Sequence, residues 1–294
     1  METITIDQEL TQAGFYWRET EGVRALVCGP LEQDGFVNGF STRMGGVSDM
    51  PHDALSLAGF NDDKAENILE NRRRFLKLFP GDWALAGCWQ VHGADVRVVN
   101  NRAEAKPAEN ELGDTIYCDA IVSDTPGVLA GIKTADCVPL LFGDPKTGAF
   151  AAVHAGWRGT LAGIGVVAVN RLANEYNAKP EDLRVAIGAS AGPCCYEVGT
   201  DVIDAFTSKF KDGDKLFTPT SEGHAFVDLL KSNRDQLIDA GVRSDRIHTA
   251  PLCTMDRTDL FFSYRREKNV HGKVGRLMAV IGKSSGRDSV PAPA

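Results

Sequence analysis

Short apolar runs alternate with amphipathic stretches along the whole chain. The runs at 24–28 and 36–42 are bounded by polar or glycine-containing segments, which predicts early strands. Across 64–79, Ile68, Phe75, Leu76 and Phe79 share one face at helical spacing. Asp62 or Asp63 can cap that helix, and Pro80-Gly81 stops it. Strands at 84–90 and 95–99 flank a tight turn, Val91-His92-Gly93-Ala94. Residues 101–117 are polar, carry Lys106-Pro107 and several carboxylates, and read as a surface loop.

The middle of the chain is its apolar centre. The runs at 119–123, 128–133, 138–142 and 149–155 are bounded by Gly, Pro and Asp, as suits buried strands. Asp144-Pro145-Lys146-Thr147-Gly148 is a turn that joins the last two as a hairpin. A helix follows at 160–176, almost wholly apolar over 161–169. A strand at 183–188, a turn at 192–196, helices at 201–210 and 225–240, and closing strands at 247–250 and 273–281 complete the pattern. No repeat of solenoid or propeller period is present. With no clean linker, the expectation is one α/β domain over 1–283 with a mixed sheet, followed by a disordered tail of Ser, Pro, Gly and Ala at 284–294.

Composition narrows the function. The 294 residues are 43% hydrophobic and 24% charged, an ordinary globular balance. The net charge of −8 argues against general nucleic-acid binding, which needs a basic face. No apolar run approaches the roughly 20 residues that span a bilayer, and the first residues lack a basic-then-apolar secretory signal. A cytoplasmic protein is expected. Its seven cysteines include no Cys-x-x-Cys, so they are expected as thiols rather than as a zinc ribbon or disulfide framework.

Three of the candidate residues sit at the polar ends of strand-like runs: His92, Cys137 in Thr134-Ala135-Asp136-Cys137, and His154 before Ala155-Gly156-Trp157-Arg158-Gly159. Two imidazoles and one thiolate are the ligand set of a catalytic zinc with one position open. The predicted hairpin brings Cys137 and His154 to the same edge. The plain alternatives are a packed thiol and a core histidine. Asp136 and Lys133 flank the thiol, and Gln90 offers an amide beside His92. Ser41-Thr42-Arg43-Met44-Gly45-Gly46 places a guanidinium beside hydroxyls and glycines, a pattern that suits an anion or a plain hairpin loop. Arg158 is a second anion candidate, and Trp157 could stack on a planar ring or pack in the core. Cys28, Cys88, Cys118 and Cys253 read as packed thiols, and Cys194 and Cys195 as part of a turn. His52, His224, His248 and His271 have no convincing partner in sequence.

Ser41-Thr42-Arg43-x-Gly45-Gly46-Val47-Ser48, Gln90-Val91-His92-Gly93, Thr134-Ala135-Asp136-Cys137-Val138-Pro139, His154-Ala155-Gly156-Trp157-Arg158-Gly159, Gly192-Pro193-Cys194-Cys195-Tyr196-Glu197-Val198-Gly199 and the closing Phe262-Ser263-Tyr264-Arg265-Arg266 occur in that order. Over about residues 20–282 the chain resembles the YfiH/YlmD family, formerly labelled multicopper polyphenol oxidoreductases or laccases. The resemblance implies an α/β sandwich similar to the catalytic domain of cytotoxic necrotising factor. It implies zinc on His92, Cys137 and His154, or copper under the older label. It implies phosphorolysis of purine nucleosides (adenosine, inosine, guanosine, methylthioadenosine), with adenosine deaminase activity alongside.

Ligand arithmetic separates the two labels: four coppers take about ten histidines, and this chain has six. The family's usual Gly-Pro-x-Ile-Gly is replaced here by Gly188-Ala189-Ser190-Ala191-Gly192, so a more flexible loop or a wider pocket is expected. On this reading Ser41, Arg43 and Arg158 hold phosphate, Trp157 or Tyr264 stacks on the purine, and Asp136 orients a ligand or carries a proton. Two rivals stand beside it. One is a Cys137–His154 hydrolase acting on amino acids of cell-wall precursors. The other is a metal-binding or regulatory protein.

Overall fold

A computed structural model describes residues 5–50, 53–59, 63–107 and 116–285. Asp62, His52, the middle of the predicted 101–117 loop and the predicted tail beyond residue 285 lie outside the described residues. Among the described residues there are two six-stranded sheets and one three-stranded sheet.

The central strands of the second six-stranded sheet show why their sequence is apolar at every position. In Phe150–Ala155, Phe150 and Ala152 face the first sheet, whereas Ala151 and Val153 face helices. Alternate side chains leave opposite faces of a strand, so a strand covered on both sides needs apolar residues of both parities. The first sheet runs in the order Phe15–Thr20, Val23–Cys28, Phe36–Ser41, Leu277–Lys283, Val128–Thr134, Ala84–Ala86. The second runs Ile247–Thr249, Arg184–Ile187, Val138–Gly143, Phe150–Ala155, Ala120–Ser123, Val96–Val98. Phe15, Leu26, Phe36 and Phe40 of the first meet Ile121, Leu141 and Phe150 of the second in one core.

Helices cover the outer faces. Ala65–Leu76 lays Phe75 on Ala25, Leu129 and Val280 of the first sheet. Ile164–Tyr176 lays Ile164, Ala168, Val169 and Leu172 on the second. Each fully buried Leu, Ile or Val contributes about 1.5–3 kcal/mol, so these two faces fix the layering. The result is an α/β sandwich with mixed strand directions, as expected.

Two expectations are corrected. The helix expected at 160–176 is two helices, Trp157–Ala162 and Ile164–Tyr176, broken at Gly163, whose φ of 79° is left-handed. Glycine alone takes that conformation without a Cβ penalty. The helix expected at 225–240 begins later, because His224–Val227 pairs as a strand with Phe217–Ser221 and Glu197–Gly199; Asp228 then caps Leu229–Asp239 by accepting from the Lys231 N–H. The helices Ile6–Gln12 and Tyr264–His271 and the edge strand Phe15–Thr20 were not expected. No described helix is long and apolar enough to cross a membrane.

Candidate active site and metal centre

The hairpin predicted around 144–148 forms, with Val138 opposite Ala155 and Pro139 opposite His154. Its other flank is Ala120–Ser123, where Ala120 faces Val153. That register sets Asp119 beside His154, and the His154 N–H donates to the Asp119 carbonyl at 2.8 Å. His154 therefore lies on a central strand with Asp119 on one side and Cys137 on the other.

Asp119 was not singled out from sequence, and it organises the site. Its fully buried carboxylate lies 2.8 Å from His154 Nδ1 through Oδ1. It also accepts the backbone N–H groups of His92 at 3.0 Å, Val91 at 3.2 Å and Gly93 at 2.7 Å. One carboxylate thus fixes the ring of His154 and the turn that carries His92. Burial pushes its pKa up, but His154 and the backbone donors outweigh burial and hold it below the usual carboxylate range. The available signal was an acid directly preceding an apolar run; it reads equally as a turn residue.

His92, Cys137 and His154 converge, with one ligand atom from each lying within 4.8 Å of the others. The two imidazole rings are 4.9 Å apart, edge to face. Because Asp119 takes Nδ1 of His154, Nε2 is left to face the thiol. Gly156 closes the wall: a Cβ there would come 2.8 Å from His92 Cδ2 and 3.1 Å from Cys137 Sγ. Burial pushes the Cys137 thiol up, but the charge and hydrogen bonds of His154, with those of His92, draw it down to about 6. Burial likewise lowers His154, and the Cys137 thiolate and Asp119 together raise it to about 9. The pair is an imidazolium–thiolate between those limits, and the trio could hold a metal ion in its place.

Asp136 does not reach into this cluster. Its buried carboxylate accepts from Thr254 Oγ1 at 2.7 Å, Ser263 Oγ at 3.0 Å and the Arg265 N–H at 2.8 Å. These bonds hold a backbone turn with φ of 87° that presents Cys137. Burial pushes its carboxyl above the usual carboxylate range, against the pull of these donors. Gln90 is likewise spent on backbone, bonding both ways to Lys133 at 2.6 and 2.7 Å.

Ser41 and Arg43 are also spent in the fold. The buried Ser41 hydroxyl accepts from the Met278 N–H at 2.9 Å. Arg43 pairs with Glu267 at 2.9 Å, donates to the carbonyls of Thr258, Phe261 and Met50, and lies 4.5 Å from the Phe262 ring. Glu267 in turn accepts from the Ser263 N–H, so Arg43 supports Asp136 at a distance.

The arginines beside the site are Arg158 and Arg265. Arg158 lies 4.1 Å over the Trp157 ring and Arg265 5.0 Å over the Tyr196 ring. They face a polar cleft of about 430 Å³ that His224 also lines. Arg265 is one hydrogen bond from Asp136, the residue before Cys137. Tyr264, half exposed, has the guanidinium of Arg276 5.7 Å from its ring. His248 lies elsewhere, beside Arg184, and His271 ends the Tyr264–His271 helix.

A family model described as multi-copper polyphenol oxidoreductase laccase matches residues 37–284. The chain is 36% identical over 262 residues to the purine nucleoside phosphorylase YlmD of Geobacillus stearothermophilus, covering 88% of this chain and 94% of the relative. It is 39% identical over 246 residues to a purine nucleoside phosphorylase of Deinococcus radiodurans, covering 83% and 87%. The crystal structure of the Geobacillus YlmD superposes with a TM-score of 0.83 at 35% identity over 92% of this chain and 99% of that one. A YfiH structure from Bacillus licheniformis gives the same TM-score at 29% identity and the same coverage.

Proposed function

The chain belongs to the YfiH/YlmD family, the family of the multi-copper polyphenol oxidoreductase laccase model, and from that premise we propose that it is a zinc-dependent purine nucleoside phosphorylase. Its substrates on this reading are adenosine, inosine, guanosine and methylthioadenosine with phosphate, and the same centre deaminates adenosine. The observation that carries the proposal is the convergence of His92, Cys137 and His154 beside a polar cleft that Arg158 and Arg265 line together with Glu197 and Asp201.

The donor set fits zinc. Two imidazoles and a thiolate leave one position open, and the carboxylate behind His154 Nδ1 is the usual support of a ligating histidine. Zinc held there would supply Lewis acidity and water activation at neutral pH. The chain's own residues do the rest. Arg158 and Arg265 offer guanidinium donors to the phosphate oxygens. Trp157 and Tyr264 offer rings to the purine. An oxygen of hydrogen phosphate bonds to ribose C1′ as the bond from C1′ to the base nitrogen breaks, and the proton that the phosphate gives up passes to the departing base, giving ribose 1-phosphate and free base. Asp119 fixes His154, and Asp136 holds the turn that presents Cys137.

The test is incubation of the purified protein with adenosine or inosine, with and without phosphate, followed by product identification. Base and ribose 1-phosphate, lost in Cys137→Ala, are expected. Base release indifferent to phosphate would overturn phosphorolysis. A second reading has an observation of its own: a thiol drawn to about 6 beside a histidine at about 9 suits a cysteine nucleophile. A covalent Cys137 adduct in metal-free, active protein would select that hydrolase. Four coppers draw no support from the described histidines, of which only His92 and His154 gather in a ligand group.

A further inference from the structure

Cys194 and Cys195 sit in a turn, and Cys253 lies 58 positions further along the chain. Folding brings them together. Cys194 and Cys195 lie in that turn, Cys253 lies in the segment that bridges to Ser190, and one sulfur from each falls within 4.8 Å of the other two. Cys194 and Cys195 Sγ are 3.1 Å apart. The Gly192 N–H donates to Cys253 Sγ at 3.2 Å, which fixes that sulfur against the turn. Cys194 is exposed, Cys195 and Cys253 are partly buried, and Cys194 and Cys253 line a cavity of about 860 Å³.

We propose that Cys194, Cys195 and Cys253 form a second metal site that takes a thiophilic d10 cation, zinc or cuprous copper, distinct from the His92–Cys137–His154 centre. Three sulfurs around an ion at a bond length of about 2.3 Å stand about 4 Å apart, between the shortest and the longest separations allowed here. Soft sulfur donors select these ions over magnesium, calcium or manganese. Each ligating thiol releases its proton on binding. A bridge between Cys194 and Cys195 is the poorer use of the cluster. Neighbouring Cα atoms are about 3.8 Å apart, below the roughly 4.4 Å at which disulfides begin.

The site has a structural consequence. Ala191 donates its N–H to the Asp136 carbonyl at 2.9 Å, and Thr254 donates to the Asp136 carboxylate. An ion joining Cys194 and Cys195 to Cys253 ties together the two segments that hold Asp136, and so the turn that presents Cys137.

The test uses the full chain, reduced, stripped with chelator and reloaded anaerobically with zinc or with cuprous ion alone. Bound metal per chain is measured, and protected thiols are mapped by alkylation and mass spectrometry. Cys137→Ala is expected to retain one equivalent, with Cys194, Cys195 and Cys253 all protected. The double variant Cys194→Ser, Cys195→Ser is expected to lose that equivalent and leave Cys253 open to alkylation. Cobalt loading of Cys137→Ala is expected to give thiolate-to-metal charge-transfer bands, which the double variant lacks. Equal alkylation of the three thiols with and without metal overturns the proposal, as does a Cys194–Cys195 disulfide with no metal retained. Failure of the histidine centre alone would show differently: wild type would hold one equivalent, with Cys137 unprotected.

Discussion

Replacing Asp119 by asparagine tests the organisation of the site at its hinge. Asparagine keeps the shape and one acceptor oxygen but turns the other into an NH2 donor. If the amide nitrogen takes the Oδ2 position it meets the N–H groups of Val91 and Gly93; at Oδ1 it meets the His92 N–H and His154 Nδ1. Either way two of the four bonds are lost and donors face donors in a buried place. Hydrogen bonds to charged groups contribute ~1.5–3 kcal/mol each, so losing two is expected to cost about 3–6 kcal/mol of folding stability. Loss of the carboxylate behind one ligating histidine lowers metal affinity about 10–100-fold. Asp119 also sets the turn under His92, so the upper end is expected. Zinc affinity is read by competition with a chromophoric chelator, and stability by urea unfolding of the stripped protein. Affinity within about threefold of wild type, together with unfolding within about 1 kcal/mol, would refute the reasoning.

Three further outcomes follow from the same geometry. In stripped protein Cys137 is drawn below its ordinary value to about 6, so at pH 7 it is mostly thiolate, and its rate of alkylation by iodoacetamide should fall as the pH drops through about 6; a midpoint near 9 would show that His154 does not hold the thiolate. Gly156→Ala should weaken zinc binding and activity with little change in unfolding. The φ of −69° tolerates alanine while the new Cβ presses on His92 and Cys137; unchanged zinc affinity would contradict this. Arg43→Gln removes one partner of a buried ion pair and should cost about 3–5 kcal/mol of stability, whereas Arg158→Gln should raise the KM for phosphate with no such loss; the reverse pattern would return phosphate binding to Arg43.

The sequence made the hairpin legible because its turn and both apolar runs are local, and with it the meeting of Cys137 and His154. His92 was legible only through the ordered motifs, since nothing local to Val91-His92-Gly93 says which strand it folds beside. Asp119 was missed for the same reason: its partners lie up to 35 residues away, and all four bonds of its carboxylate cross to other segments of the chain. The Arg43 motif misled in an instructive way. An arginine beside hydroxyls and glycines suits an anion, and the anion turned out to be the protein's own Glu267, 224 positions away in sequence. The trithiol cluster was invisible because Cys253 is far from Cys194 in the chain. The His224–Val227 strand was lost to the helix that follows it, because a four-residue strand joined directly to a helix offers too short a period to read.

The two residues on which the site turns share a further property. His92 at φ of 61° and Asp136 at φ of 87° are non-glycine residues in the left-handed region. Such positions cost of order 1–3 kcal/mol each and persist only where the surroundings over-determine them. Here the surroundings do so with carboxylates: three N–H groups of the His92 turn close on Asp119, and three donors close on the carboxylate of Asp136 itself. Aspartate is among the few side chains that tolerate this backbone, which accounts for its place at 136, and glycine at either position would relieve the strain while freeing the turn. Asp136→Gly should therefore leave folding stability nearer wild type than Asp136→Ala, which keeps the left-handed strain and loses the three bonds. Both should lower zinc affinity, because the turn that presents Cys137 is no longer held. If Asp136→Gly binds zinc as wild type does, then the strand ends alone place the thiol, and the network from Thr254 through Ser263 to Arg43 serves the fold and not the site.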